Sequence, residues 1–227
     1  MALPTAGTVL DVRRPFTRAD ALAAGLTPKM LRGSRFRRLF RGVYISAKAP
    51  VNPLVRVQAA LLLHPPTAFA SHVSAARVYQ LPVPDLLDEH VMVLDRADRH
   101  PRRGIRTHIA TAGTRVVRYR GVRLSDLRQM FIQLASILSL VGLVVVGDAM
   151  VKRFKLPVDE LVEACTVSLD RHAVAARRAA SYVRKGVDSP METRLRMLIV
   201  LAGLPEPKVN VKLYDARGKV RRRLDLS

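Results

Sequence analysis

The sequence predicts an α+β protein, and three observations carry that expectation. N-cap residues announce short helices along the chain, from Thr17 near its start to Ser189 near its end. Alternating or β-branched stretches lie between these helical segments. Hydrophobic residues make up 49% of 227 positions, which is enough to bury a core. There is no internal repeat. Turn-rich clusters at 47–53, 64–67, 81–85 and 186–190 divide the chain into residues 1–48, 49–186 and 187–227.

The first part begins its structure at "FTRADALAAGLTPKMLRGSRFRRLFRGVYIS". Thr17 caps a helix with Asp20 three residues on, and Gly25 supplies the positive φ that ends it. A second helix restarts at once, with Thr27 as N-cap, Pro28 at the first helical position and Leu26 stapled against Leu31. Phe36 to Ser46, rich in aromatic and β-branched residues around Arg41-Gly42, reads as a short hairpin. Helix, tight turn, helix and hairpin together make a winged helix-turn-helix.

The second part reads as a mixed α/β domain. Helices are expected near 54–63 and after Ser71, and strands near 89–94, 105–109 and 115–124. Further helices follow over 126–153, 157–166 and 171–184. Residues 131–147 carry no charge, yet Gln133, Ser136, Ser139 and Gly142 interrupt them and basic residues flank both sides. Two buried helices, not a membrane span, are therefore expected there. In the third part Ser189 caps a helix with Pro190 at its first position, and Glu192 stands where it closes a capping box. That helix ends at Gly203, and the residues beyond alternate as a hairpin about Ala216 to Gly218.

Thirty-nine Lys and Arg against 18 Asp and Glu give a formal charge of +21 and a pI near 11.4. Double-stranded DNA is the first partner such a charge suggests, because displacing counterions from phosphates drives binding. The opening residues lack a basic-then-apolar order, so no secretory leader is expected, and with no span the expected location is cytoplasmic. Lys29, Arg32, Arg35, Arg37, Arg38 and Arg41 carry the charge on the second helix and hairpin, with no acid between them. Thr27, Lys29 and Arg32 would lie at the part of the helix that reads base edges. Arg35, Arg37, Arg38 and Arg41 would meet phosphates.

Other chemistry is thinly marked. Cys165 is a lone thiol on an apolar helix face and reads as core. No pair among His64, His72, His90, His100, His108 and His172 has a metal-type spacing, so no zinc site is expected. Ser71-His72 is not a catalytic pair on this reading, because neighbours on a helix point apart and Ser71 serves as an N-cap. No glycine loop cradles a phosphate. Glu192 and Asp225, one on a helix and one on a strand, could converge on Mg²⁺. By spacing alone, however, Glu192 is a capping residue and Asp225 a surface acid.

The N-terminal stretch quoted above resembles the winged helix of AbiEi-type antitoxins of type IV toxin–antitoxin systems. "SHVSAARVYQLPVP" and "GVRLSDLRQMFIQLA…VVVGDAM" resemble the middle of long actinobacterial proteins carrying that domain. "SPMETRLRMLIVLAGLPEPKVNV" with "RRRLDL" is similar to the start of their restriction-endonuclease-like domain, of the very-short-patch-repair, PD-(D/E)xK kind. The resemblance implies an autoregulating DNA-binding antitoxin with a nucleotidyltransferase toxin as partner. It also implies that Glu192 and Asp225 are the first acids of a Mg²⁺-dependent nuclease site. The sequence departs from the family pattern in two places. The acid-x-Lys strand and "EYDG" run are absent, leaving an incomplete restriction-endonuclease-like segment expected not to cut DNA by itself. "SDLRQMFIQLA" also replaces the usual T-x-x-R-T-x-x-D-L-A, with loss of an Arg and an Asp.

Overall fold

Thr17 organises the first helix as its sequence anticipates. Its hydroxyl accepts from the Asp20 amide while the Asp20 carboxylate accepts from the Thr17 amide at 2.8 Å. In the computed structural model, which describes residues 10–215 and 217–227, β1 (Phe16–Thr17) and α1 (Arg18–Ala23) are followed by α2 (Pro28–Arg32). The strands β2 (Phe36–Phe40) and β3 (Val43–Ser46) come next. Thr27 accepts from the Met30 amide at 3.2 Å, with Pro28 at the first position of α2. The three strands form an antiparallel sheet in the order β1-β3-β2. Phe16, Ala21 and Leu31 are buried together with Phe36, Tyr44 and Leu26 packed around them, so one face of this sheet is closed by α1 and α2.

A second sheet follows. α3 (Pro53–Leu61), capped by Asn52, precedes β4 (Phe69–Ala70), α4 (His72–Val78) and β5 (Glu89–Val93). A 3-10 turn at Arg96–Asp98 leads to β6 (Ile105–Ile109), β7 (Val116–Tyr119) and β8 (Val122–Ser125). The five strands lie in the order β6-β5-β4-β8-β7, with β5 parallel to β6, β4 parallel to β8 and the other pairs antiparallel. The single strand expected at 115–124 is instead the hairpin β7-β8. Arg120 and Gly121 both take positive φ, 50° and 79°, the combination that a two-residue hairpin turn requires. Phe40 and Val43 share a buried cluster with Ala59, Ala60, Val91, Val93 and Ile105, so the core runs across the boundary expected at residue 48.

The remaining elements are α5 (Leu127–Leu134), α6 (Leu140–Phe154), α7 (Val158–Val167), α8 (Ala173–Ala180), α9 (Pro190–Leu201) and the antiparallel pair β9 (Val209–Tyr214) and β10 (Val220–Leu226). Asp126 caps α5 and Ser139 caps α6, which splits the uncharged stretch into two helices. Among the described residues no helix is long and apolar enough to cross a membrane. The chain forms two compact units, 1–78 with 85–125 and 79–84 with 126–227, so the division expected at residue 186 falls inside the second. Residues 1–9, in which no leader was expected, and Ala216 of the expected turn lie outside the described residues.

Gly147 of α6 is required by packing. A Cβ there would strike Val183 Cγ2 and stand 3.1 Å from Phe131, and both neighbours are buried. Alanine gains at most about 1 kcal/mol of helix propensity, whereas overpacking costs about 1–3 kcal/mol. Gly147→Ala is therefore expected to lower stability by about 1–2 kcal/mol, read as a lower urea midpoint at unchanged slope.

Candidate nucleic-acid interface

The acid content of the sequence shapes this surface. No Asp or Glu lies between Asp20 and Asp85, and Asp20 is engaged in the α1 cap. Thr27, Lys29, Arg32, Arg35, Arg37, Arg38 and Arg41 are all exposed. Among the described residues none of the six cations takes part in an ion pair. Thr27 is occupied as the cap of α2, while Lys29 and Arg32 lie on that helix.

Strand geometry sorts the residues of the β2-β3 hairpin. Arg38 pairs with Tyr44, whose ring belongs to the cluster beneath α1 and α2, so Arg38 stands on the same side of the sheet as α2. Arg37 pairs with Ile45 on the opposite side, and its guanidinium donates to the Ala47 carbonyl at 3.2 Å. The six cations expected to act together are thus divided. Lys29, Arg32 and Arg38 share a side of the sheet and Arg37 does not. A further cleft of about 620 Å³ in this unit is walled by Arg14, Arg118, Arg120 and Arg123.

Glu192 and Asp225, the two acids suggested as a metal pair, lie on α9 and β10. Ser189 caps α9 by accepting from the Glu192 amide at 3.3 Å, but the Glu192 carboxylate accepts from the Asp188 amide at 2.9 Å and not from the cap residue itself. Asp225 is exposed on β10. Neither belongs to a group of three or more candidate ligands among the described residues. Two carboxylates are the kind of oxygen donor Mg²⁺ takes, and Glu192 spends one of its oxygens on the Asp188 amide.

Behind α9 lies a buried polar network. Asp148 of α6 accepts from the Arg184 amide at 2.8 Å, from Thr193 Oγ1 at 2.8 Å and from Arg196 Nη2 at 2.9 Å. Arg196 Nη1 also pairs with Glu206 at 2.9 Å, which in turn binds Arg184 at 2.8 Å. Burial pushes the Asp148 carboxyl above its ordinary value, against the pull of the Arg184 amide, the Arg196 charge and the Thr193 hydroxyl. Cys165 is buried on α7 as expected, its thiol pushed up to about 12 by desolvation, far from the range of a reactive thiolate.

Histidine spacing did not foretell what the fold does with three of them. His72, His90 and His108 bring one ligand-capable atom each within 4.8 Å of one another. His90 Nδ1 lies 3.0 Å from His108 Nε2. Ser71 and His72 do not point apart either. His72 takes φ 47°, outside the right-handed helix region, and its Nδ1 lies 2.9 Å from Ser71 Oγ. The signal available in the sequence was strand parity. His90 and His108 stand on two segments expected as strands, and a parallel pairing sets them two residues apart in register on one face.

No family model matches the chain, and no curated protein matches it in sequence. Among solved structures, the RV2827C protein from Mycobacterium tuberculosis is similar at TM-score 0.48 and 12% identity, over 90% of this chain and 85% of that one.

Proposed function

We propose that residues 1–48 are a winged helix-turn-helix and that the protein is a sequence-specific DNA-binding regulator of the AbiEi-antitoxin kind. One observation carries the reading: an exposed basic helix and hairpin with no acidic partner among the described residues, in a stretch without acids between Asp20 and Asp85. Cations left unpaired on one side of a small domain are satisfied by phosphates, and α2 with Arg38 on its side supplies a helix for the groove and a charge for the backbone. The two roles separate experimentally. Against a site selected from random duplexes, Arg32→Ala is expected to lose roughly tenfold to 100-fold in affinity and far less against random duplex, since a base contact is worth about 1–3 kcal/mol. Arg38→Ala is expected to weaken both duplexes alike. Equal losses for Arg32→Ala on both duplexes would end its base-reading role, and failure of the wild-type chain to bind any duplex would end the proposal.

On this reading the protein works in the cytoplasm with a nucleotidyltransferase toxin as partner, and co-purification with a neighbouring gene product tests the partner. Residues 187–227 are then the incomplete start of a restriction-endonuclease-like domain. Glu192 serves there as a helix-end acceptor for the Asp188 amide.

A further inference from the structure

We propose that His72, His90 and His108 form a binding site for a divalent transition metal, with Zn²⁺ as its ligand. The site is independent of the DNA-binding reading and lies among residues that the basic surface does not use.

The strands build it. β5 and β6 run parallel with His90 opposite Arg106 and Met92 opposite His108, so Asp88, His90, Arg106 and His108 share one face of the sheet. Arg106 turns back to Asp88 at 2.9 Å, and His90 meets His108 along the same diagonal at 3.0 Å. The third ring arrives from the start of α4, where the left-handed backbone of His72 lays its imidazole over that of His108 with centroids 4.1 Å apart. The Ser71 amide donates to the His90 carbonyl at 3.0 Å, which ties the turn carrying His72 to the strand carrying His90.

The chemistry of the donors selects the ion. His90 Nδ1 and His108 Nε2 face one another at 3.0 Å, so one ring donates to the lone pair of the other. A tautomer change that moves this proton to the far nitrogen of the donor ring frees both lone pairs for a metal ion. Three imidazoles and no oxygen ligand exclude Ca²⁺ and Mg²⁺ as preferred ions and suit zinc, which takes three histidines and leaves a fourth position open. In a tetrahedron with Zn–N of about 2.05 Å the ligand nitrogens stand roughly 3.3–3.4 Å apart. The His90–His108 pair needs to open by only a few tenths of an ångström, and the His72 ligand atom needs to close in from within 4.8 Å of that pair.

The surroundings hold the rings as metal-bound histidines are held. Ser71 Oγ engages His72 Nδ1 at 2.9 Å, which fixes the orientation of that ring. Ser74 Oγ accepts from the His90 amide at 2.8 Å and donates to the buried carboxylate of Glu89, so the backbone of the central ligand is fixed. His108 also lines a cavity of about 610 Å³ with Arg99, His100 and Arg106. That opening admits water or a small anion to the fourth position.

The test uses the full chain, stripped with chelator and desalted, then titrated with Zn²⁺. One ion per chain and a raised unfolding midpoint are expected, and Co²⁺ in its place should give the strong visible bands of a tetrahedral nitrogen site. The variants His90→Asn and His108→Gln should keep the native circular dichroism and lose the ion, whereas His100→Ala should keep it. A folded wild-type chain that takes up no stoichiometric Zn²⁺, or His90→Asn and His108→Gln variants that retain it, would overturn the proposal. If the buried-ring variants do not fold, the wild-type Co²⁺ spectrum decides. Tetrahedral bands at one ion per chain support the site, and a six-coordinate spectrum sinks it.

Discussion

Arg196→Ala is expected to lower stability by about 3–5 kcal/mol, the cost of removing one partner from a buried ion pair. Arg196 is 0% exposed and Asp148 2% exposed, so neither charge is shared with water. Removing the guanidinium leaves Asp148 facing Thr193 Oγ1 and the Arg184 amide with its charge uncompensated. The carboxyl, already pushed upward by burial, would then take up a proton. Glu206 loses one of its two arginines but is partly exposed and keeps Arg184. For a chain of this size the loss corresponds to a fall of roughly 6–20 °C in Tm. Thermal unfolding followed by circular dichroism measures it. Partial recovery in the double variant Asp148→Leu/Arg196→Met would show that the cost arises from the orphaned acid and not from lost volume. A single-variant loss below about 1 kcal/mol would mean that water reaches Asp148.

The same network shows where sequence reasoning reached and where it stopped. Local rules located the elements that local chemistry builds. Thr17, Thr27 and Ser189 cap the helices they precede as expected, and Asn52 and Ser139, not foreseen as caps, do the same for α3 and α6. Strand alternation found β5 and β6 but missed β4, because a two-residue strand has no period to detect. On α9 the apolar positions Met191, Leu195 and Leu198 suggest a core face, yet they are exposed. Thr193, Arg196 and Met197 are buried instead, because Asp148 lies 48 residues from Arg196 in sequence and supplies what buries it. His72, His90 and His108 fall in the same class. Short metal-type spacings arise in turns and helices, whereas ligands carried on neighbouring strands are brought together by register, which no spacing records. The basic residues of 29–41 were legible as a charge. Their partition was not, since only the pairing of Arg38 with Tyr44 and of Arg37 with Ile45 decides which side of the sheet each occupies.

That partition sets the second large effect, which is on the salt dependence of DNA binding under the proposed reading. Each phosphate neutralised contributes about 0.9 to the slope of log affinity against log salt. Arg37 stands on the far side of the sheet and donates to the Ala47 carbonyl, so it is not counted. Three phosphate contacts, from Arg35, Arg38 and Arg41, give a slope of about −2.7 and a loss of roughly 40-fold between 50 and 200 mM salt. The triple variant Arg35→Ala, Arg38→Ala, Arg41→Ala should remove this term and leave a slope near zero. None of the three makes an ion pair among the described residues, and all are exposed, so folding should be unaffected. Binding isotherms at several salt concentrations, with unfolding midpoints alongside, make the measurement. An unchanged slope in a folded triple variant would place the phosphate contacts elsewhere, with the cleft walled by Arg14, Arg118, Arg120 and Arg123 as the next surface to test. A flattened slope together with loss of site preference would move base reading from Lys29 and Arg32 to the wing. Only a flattened slope with site preference retained agrees with a helix that reads bases and a wing that holds the backbone.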